Sequence, residues 1–366
     1  MLGTFEEELG KIEAEYRQHP QDDLLAALSG PNARAVIFGA GVVGKHLART
    51  MNNSANGKLA AFCDNFKIGS CEEFHIPIVS PDELNVHYRD AVIIVAVGTR
   101  EISDEIYNQV LELGFHREQV FRCYSGFGIV DLNQYRDGYK WAYDFFEDAI
   151  SKTIILNRIR GYFSYFSYFE MEHSPLINQY FDEDVIQFSN HEVFIDGGCY
   201  TGDTALEFIR RMKGKYDFIY GFEPERDIFE TAKLNLKRYE NIELINKGLW
   251  SKADQLYFHA ANTSSTVTTN GETSISVISL DEFFSDGKRK RLPTFIKLDI
   301  EGSEKEALFG MKNVIAKAHP KLAVCVYHKP EDIYELPQLI MNLGREYKFT
   351  LRHYGEGMYE TVLYAL

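Results

Sequence analysis

The chain has 366 residues, of which 45% are hydrophobic, and this is enough apolar material for two separate cores. Its 54 acidic residues outnumber its 39 basic residues, giving a formal net charge of −15, which argues against nucleic acid as the main partner. Five cysteines without a CxxC pair favour neither a disulfide framework nor a zinc site, and no apolar run could span a bilayer, so we expect a cytoplasmic protein.

Residues 1–125 are predicted to form a helical arm followed by a Rossmann-like domain. Residues 4–29 have the spacing of two short helices with a break at Pro20. The domain that follows alternates apolar strands with an amphipathic helix. Its strands are predicted to begin at Ala35, Leu59, Ala91 and Gln119.

The first strand of this domain leads into a GxGxxG pattern formed by Gly39, Gly41 and Gly44. Asp64 ends the second strand twenty residues past Gly44, which is the offset of an acid that binds a nucleotide ribose. These four residues are the candidate nucleotide site of the first domain. An NAD-dependent oxidoreductase is disfavoured, because the second half of the chain is committed to another complete sheet. Binding of a ligand such as a nucleotide sugar and a role in packing or assembly alone both stay open, because an isolated GxGxxG pattern is a weak signal.

Residues 126–184 form an aromatic-rich, mostly helix-compatible segment between the two halves of the chain. Packing is the simpler interpretation of its aromatic residues. The alternative is a lid whose aromatic faces stack on a sugar. The residues concerned are Tyr135, Tyr139, Trp141, Tyr143, Phe145, Phe146, Tyr162, Tyr165, Phe166 and Phe169.

Residues 185–366 are predicted to form a second α/β domain, which contains the motif around which the chain is organised. The sequence DGGCYTG, residues 196–202, follows a buried strand and precedes an amphipathic helix. Its glycines allow a close approach of the backbone to a ligand, and the helix offers free N–H groups. Because the carboxylate of Asp196 would repel a phosphate, the turn favours a ligand with a cationic or hydroxyl-rich part.

Polar residues recur where the following strands are predicted to end. Glu223 ends the second strand, Asn246 the third, Asp299 the fourth and His328 the fifth. Because ligands of open α/β sheets bind at the carboxyl ends of the strands, we expect these side chains to converge on one crevice. The carboxylate of Glu223 could accept hydrogen bonds from both hydroxyls of a ribose.

These segments, taken in order, resemble the FkbM family of S-adenosylmethionine-dependent methyltransferases. The matching stretches are DGGCYTG as motif I, IKLDIEGSE at 296–304, YHKPED at 327–332, RHY at 352–354 and ETVLYA at 360–365. The resemblance covers about residues 185–366. It implies a class I methyltransferase sheet with a terminal antiparallel hairpin, S-adenosylmethionine as the cofactor, and O-methylation of hydroxyls on sugars and natural products.

The resemblance also implies a set of site residues. The cofactor-binding set is Asp196, Gly197, Gly198, Tyr200, Thr201, Gly202, Glu223, Asn246 and Asp299. For catalysis, the acceptor hydroxyl must lose a proton, which gives Asp299 the role of base and His328 that of the alternative base. Glu301 is expected to orient the substrate or to cap the next helix. Asp299, Glu301 and His328 could together hold Mg²⁺, but their spacing does not justify assigning a metal, and none is assigned.

We therefore predict an α/β protein with two Rossmann-like domains that uses S-adenosylmethionine to O-methylate a sugar hydroxyl of a glycan or nucleotide-linked sugar. The alternatives are methylation of a polyketide-type natural product and a nucleotide-binding protein without catalysis. The sequence leaves the acceptor, the methylated position and a homo-oligomeric state open.

Overall fold

The computed structural model describes residues 2–15, 20–54, 58–123, 132–163, 171–258, 273–285, 287, 291–343, 346–355 and 357–366. It divides into two compact units, one of Met1–Arg136 with Leu156–Met171 and one of Asp137–Ile155 with Glu172–Leu366. Each unit contains a sheet of mostly parallel strands, as predicted. No helix among the described residues has both the length and the apolar character needed to cross a membrane.

The sheet of the first unit has the order β3-β4-β2-β1-β5-β6, with β3 antiparallel to β4 and the other neighbours parallel. The four strands predicted from apolar runs are all present. The short strands β3 and β4 were not predicted, because β3 (GSC) has no apolar run and the apolar run of β4 (IPIV) is only four residues long and contains a proline. In chain order the elements are α1 (Phe5–Glu15), α2 (Pro20–Ala27), β1 (Ala35–Phe38), α3 (Val42–Ser54), β2 (Leu59–Cys63), β3 (Gly69–Cys71), β4 (Ile76–Val79), α4 (Pro81–His87), β5 (Val92–Ala96), α5 (Arg100–Glu112) and β6 (Val120–Cys123).

Two helices, α6 (Arg136–Phe145) and α7 (Ala149–Phe163), follow in the aromatic-rich segment. Tyr139 and Tyr143 of α6 are buried, and the Tyr139 hydroxyl donates a hydrogen bond to the Pro330 carbonyl at 3.1 Å. These contacts agree with a packing role for this part of the segment. The lid interpretation stays a prediction, since Tyr165, Phe166 and Phe169 lie outside the described residues.

The main sheet of the second unit has the order β15-β16-β14-β13-β7-β8-β9. Every neighbouring pair is parallel except the two pairs that involve β16. The predicted terminal hairpin with its antiparallel strand is therefore present. The elements are β7 (Val193–Gly197), α8 (Asp203–Arg211), β8 (Phe218–Phe222), α9 (Arg226–Leu236), β9 (Ile242–Ile245), β10 (Gly248–Leu249), β11 (Asp254–Phe258), β12 (Thr273–Ile278), α10 (Leu280–Ser285), β13 (Phe295–Leu298), α11 (Glu304–Phe309), α12 (Lys312–Ala318), β14 (Lys321–Cys325), α13 (Asp332–Asn342), β15 (Phe349–His353) and β16 (Thr361–Ala365).

The apolar run of residues 242–249 forms two strands in different sheets rather than one strand. β9 belongs to the main sheet, whereas β10 pairs with β12 in a separate three-stranded sheet of order β10-β12-β11. The break falls at Asn246, whose side chain donates to the backbone carbonyls of Glu223 and Pro224. This polar anchor holds residue 246 beside the end of β8, and the chain leaves the main sheet there.

An aromatic cluster supports the strands that carry the polar residues. Phe194 of β7 stacks on Phe295 of β13 with ring centroids 4.9 Å apart, and it contacts Phe208 of α8 at 4.7 Å. All three rings are fully buried. Aromatic pairs contribute about 0.5–1.5 kcal/mol beyond the burial of their area. They therefore fix β7 and β13 side by side, with their carboxyl ends at one edge.

Candidate active site

The turn that follows β7 is shaped by glycines whose positions exclude a side chain. Gly198 has a φ of +73°, and a Cβ there would lie 1.9 Å from the carbonyl oxygen of Asp299. Gly202 has a φ of +83°, and its Cβ would lie 2.8 Å from the Leu236 side chain. At Gly197 a Cβ would meet side chains and backbone at 2.9–3.0 Å. The turn thus lies directly against the end of β13.

Glu223 lies directly after β8 and accepts hydrogen bonds from two backbone N–H groups. The Tyr200 N–H donates at 3.1 Å and the Glu225 N–H at 2.9 Å. Glu223 is only 6% exposed, and burial raises its pKa to about 7. A carboxylate oxygen can accept more than one hydrogen bond, so each oxygen keeps capacity for a ligand hydroxyl. Asn246 donates to the Glu223 carbonyl at 2.8 Å and holds this segment in place.

Asp196 is fully buried behind the turn, and its carboxylate lies 3.3 Å from the Lys297 ammonium. Lys297 also donates to the Gly198 carbonyl at 2.7 Å. Burial alone would lower the pKa of Lys297, but the charges of Asp196 and Asp299 raise it well above its ordinary value. Burial nevertheless raises the pKa of Asp196 to about 6, so the Lys297 ammonium offsets only part of the cost of burying this carboxylate. Direct contact of Asp196 with a cofactor stays a prediction.

The remaining residues of the turn differ in exposure. Tyr200 has a φ of +46°, and the residue is 57% exposed. The Thr201 carbonyl accepts a hydrogen bond from the Asn235 side chain at 2.9 Å, which ties the turn to α9. Cys199 is buried, and burial raises the pKa of its thiol. Tyr200 is thus the member of the turn whose side chain is open to a ligand.

Asp299 follows β13 directly and is held by two tyrosine hydroxyls. Tyr180 donates to Oδ2 at 2.8 Å and Tyr327 to Oδ1 at 3.2 Å, while Nε2 of His328 lies 3.5 Å from Oδ1. Burial alone would raise the pKa of Asp299, but the charges of Lys297 and then His328 hold it below its ordinary value. The side chain is 25% exposed. Asp299 therefore presents an ionised carboxylate at the edge of the sheet.

Glu301, Glu304 and Asp299 surround the ring of His328. Because β13 ends at Leu298, strand alternation no longer separates Asp299 from Glu301. Glu301 has a φ of +55°, and its carboxylate lies 3.8 Å from Nε2 of His328. On the other side of the ring, Nδ1 lies 3.2 Å from a Glu304 oxygen. Burial would lower the pKa of His328, but Glu304 and then the other carboxylates raise it to about 9.

Four side chains at this edge were not assigned to the site by sequence reasoning, namely Lys297, Glu304, Tyr180 and Tyr327. Lys297 carried a usable signal, since a lysine within an otherwise apolar buried strand needs a partner. Glu304 and Tyr327 lie within the stretches that carried the family resemblance. Tyr180 comes from an irregular segment before β7 and offers no periodic signal.

In the first unit, packing explains two of the three glycines of the GxGxxG pattern. A Cβ on Gly39, which has a φ of +119°, would lie 2.5 Å from the Ala96 carbonyl oxygen. A Cβ on Gly44 would lie 1.8 Å from the Gly39 carbonyl oxygen. A Cβ on Gly41 would meet nothing within 4 Å. Only Gly41 therefore has no packing reason to be glycine.

Asp64 uses both of its carboxylate oxygens within the protein. Oδ2 accepts from the Ala40 N–H at 2.9 Å, and Oδ1 accepts from the N–H groups of Phe66 and Lys67 at 2.9 and 3.1 Å. These bonds tie the end of β2 to the glycine turn. Nucleotide binding by Gly39, Gly41, Gly44 and Asp64 stays a prediction.

Comparison with known proteins adds two findings. Residues 196–351 match the family model described as the methyltransferase FkbM domain. The hexuronic acid methyltransferase AglP of Haloferax volcanii is 33% identical over an alignment of 102 residues that covers 26% of this chain. The match spans 42% of the length of that relative.

The fold is similar over nearly the whole chain to a solved structure. The crystal structure of methyltransferase FkbM from Methylobacillus flagellatus matches with a TM-score of 0.71 and 22% sequence identity. The match covers 99% of this chain and 98% of that protein. At this level of identity the likeness establishes the fold, and the predicted α/β class is confirmed.

Proposed function

We propose that this chain, whose residues 196–351 match the family model of the methyltransferase FkbM domain, transfers a methyl group from S-adenosylmethionine to a sugar hydroxyl. The observation that carries the proposal is the meeting of the glycine turn and the ionised Asp299 at the carboxyl edge of β7 and β13. Ligands of open α/β sheets bind at this edge. A donor and an acceptor can therefore be held in one crevice.

The turn and Glu223 fit S-adenosylmethionine, which supplies a methyl group on a positively charged sulfur. We assign to Glu223 the two ribose hydroxyls, because its oxygens are positioned by backbone N–H groups and retain acceptor capacity. Gly198 and Gly202 allow the turn to pack directly against Asp299 and Leu236, which brings its backbone to the carboxyl edge of the sheet. Thr201 and Asn246 hold the adjoining segments, and the exposed ring of Tyr200 is open to the cofactor.

At the acceptor side, we assign the proton-accepting role to Asp299. As the new C–O bond forms and the C–S bond breaks, the acceptor hydroxyl loses its proton and the sulfonium becomes a neutral thioether. Asp299 is ionised and held by two hydroxyls, so it can accept that proton without moving. Glu301 is exposed and is assigned to orient the acceptor, while His328 flanks Asp299.

A sugar is favoured as the acceptor by two observations. The partial relative from Haloferax volcanii is a hexuronic acid methyltransferase. Near Asp299, the rings of Tyr327 and Tyr359 lie 6.1 Å apart, edge to face, and Tyr359 is 36% exposed. An aromatic face beside carboxylates suits the C–H face and the hydroxyls of a sugar.

A cytoplasmic location, a nucleotide ligand of the first unit and a homo-oligomeric state also remain proposals. All five cysteines are free and buried, and this supports a reducing compartment.

The test begins with calorimetric titration of the full chain with S-adenosylhomocysteine, with NAD and a nucleotide sugar as parallel ligands. We expect S-adenosylhomocysteine to bind, and Glu223→Ala to abolish that binding. Incubation with radiolabelled S-adenosylmethionine and hexuronic-acid glycans or nucleotide sugars then tests transfer. Asp299→Asn is expected to keep S-adenosylhomocysteine binding and lose transfer. Binding of NAD alone would overturn the proposal and place the function in the first unit.

A further inference from the structure

Asp299, Glu304 and His328 form a compact group in which one donor atom from each lies within 4.8 Å of the others. Asp299 follows β13, Glu304 begins α11, and His328 lies just beyond β14. We propose that this group binds a divalent metal ion through one ring nitrogen and two carboxylate oxygens. The sequence had suggested Glu301 as the possible third metal ligand beside Asp299 and His328, and in the proposed site this ligand is Glu304.

The group contains buried polar atoms that the protein itself does not satisfy. Among the described residues, Oε2 of Glu304 is buried without a hydrogen-bond partner. The buried ring nitrogens of His328 have carboxylates of the same group beside them, Glu304 at 3.2 Å from Nδ1 and Asp299 at 3.5 Å from Nε2, without well-formed hydrogen bonds. Glu304 is 1% exposed and the His328 side chain 9%. Such an atom costs about 1–3 kcal/mol when it is left unsatisfied. A cation would satisfy a carboxylate oxygen and a ring nitrogen at the same time.

The position of Glu304 is fixed before any ion binds. Its Oε1 accepts the backbone N–H of Ile300 at 2.9 Å, so the side chain is held over the loop between β13 and α11. The second oxygen, Oε2, is the one without a partner. One oxygen therefore orients the carboxylate and the other is left for a ligand.

Negative charge around the group also favours a cation. Glu301 lies 3.8 Å from the His328 ring, and the 3% exposed Asp332 lies close enough for its carboxyl to interact with Glu304. The Lys297 ammonium is already engaged by Asp196. The carboxylates beside His328 thus outnumber the one positive charge that its ring can carry.

The donor set indicates which ions fit. One imidazole nitrogen with two carboxylate oxygens suits Mn²⁺, Fe²⁺ or Zn²⁺ better than Ca²⁺, which prefers oxygen ligands throughout. Two ligand atoms that each lie about 2.1 Å from an ion are at most about 4.2 Å apart. The donor atoms of the three residues lie within 4.8 Å of one another, so the largest of these separations must decrease by up to about 0.6 Å when an ion binds. The 25% exposure of the Asp299 side chain leaves one side of the group open to the acceptor.

The role of the ion rests on the proposed function, whereas its binding does not. A cation beside the acceptor hydroxyl stabilises the negative charge that develops on oxygen as the proton leaves. With an ion bound, Asp299 would be one of its ligands, and the exposed Glu301 rather than Asp299 would accept the proton. The C–O bond forms, the C–S bond breaks, and the sulfonium charge is lost as before.

The experiment is a titration of the full, metal-stripped chain with Mn²⁺, in which free Mn²⁺ is measured by electron paramagnetic resonance. We expect one saturable site per chain, weakened about tenfold or more by Glu304→Gln and by His328→Gln. Glu306→Gln is the matched control, since it removes the same charge from the same helix outside the group. Asp299→Asn, at a partly exposed side chain, provides a further variant if a buried substitution lowers the melting temperature.

The absence of saturable Mn²⁺ binding by the folded chain would overturn the proposal. Equal affinity in the wild type and in Glu304→Gln, His328→Gln and Asp299→Asn would also overturn it, as would a loss of binding in Glu306→Gln of the same size. Mn²⁺ binding at this group without methyl transfer to any sugar would instead reject the proposed function and leave the metal site standing.

Discussion

Replacement of Glu223 by glutamine is expected to remove a pH dependence from the binding of S-adenosylhomocysteine. Burial raises the pKa of Glu223 to about 7, so the side chain is partly protonated at neutral pH. Ribose hydroxyls that donate to the carboxylate favour its ionised form. Binding at low pH must therefore first remove a proton, and the affinity of the wild type rises as the pH increases.

The size of the effect follows from the position of this pKa. One pH unit below it about a tenth of the side chains are ionised, and one unit above it about nine-tenths are. If only the ionised form binds, the affinity rises about tenfold between pH about 6 and about 8, or about 1.4 kcal/mol. The glutamine of the Glu223→Gln variant offers an oxygen acceptor but cannot ionise. The variant should therefore bind S-adenosylhomocysteine more weakly than the wild type at the upper pH, and its affinity should lack the pH dependence that Glu223 causes.

Calorimetric titration of the full chain across this pH range provides the measurement. Asp227→Asn is the matched control, because Asp227 is exposed at the start of α9 and its replacement removes the same charge. The control should keep the slope of the wild type. Titration of the ligand itself is common to all three proteins and cancels in the comparison. A wild-type affinity that is flat with pH, or a slope that survives in Glu223→Gln, would refute the reasoning.

Three further substitutions test the packing and the site. Gly44→Ala should destabilise the first unit by about 1–3 kcal/mol because its Cβ would lie 1.8 Å from a carbonyl oxygen, whereas Gly41→Ala should change stability by less than about 0.5 kcal/mol. Urea unfolding compares the two, and equal effects would contradict the packing account. Lys297→Met should cost about 3–5 kcal/mol because Asp196 is left buried without its cation, and an unchanged melting temperature would argue against this ion pair. Tyr180→Phe removes the 2.8 Å hydrogen bond to the proposed base, worth about 1.5–3 kcal/mol, and should lower kcat while S-adenosylhomocysteine still binds. Full turnover by this variant would show that the hydroxyl does not position the base.

The parts of the fold that could be predicted from the sequence are those with a strong local signal. β7 and β13 are buried, mostly apolar strands; Asp196 lies near the end of β7 and Asp299 directly follows β13, so both have to lie toward the carboxyl edge. The carboxyl ends of neighbouring parallel strands lie at the same edge of a sheet, and this predicts the approach of His328 to Asp299. It holds although His328 lies three residues beyond the end of β14. Helix and strand periodicity is a property of neighbouring residues, so these predictions needed no knowledge of the packing.

The parts that could not be predicted depend on register and on backbone dihedrals. Lys297 reaches Asp196 because the two residues are paired across β13 and β7, which are about one hundred positions apart in the chain. No local pattern specifies that pairing. The choice of Glu304 rather than Glu301 for the buried side of His328 depends on the positive φ of Glu301 and on the end of β13 at Leu298.

The place of β16 between β14 and β15 has a consequence for how the second unit is made. β16 is the last strand of the sheet to be synthesised, yet it is fully buried and pairs with a neighbour on each side. While the nascent chain is still shorter than residue 361, β14 has an unpaired edge of the kind that invites association with other chains. The sheet can close only after residues 361–365 leave the ribosome, and folding of this unit is therefore expected to wait for that segment.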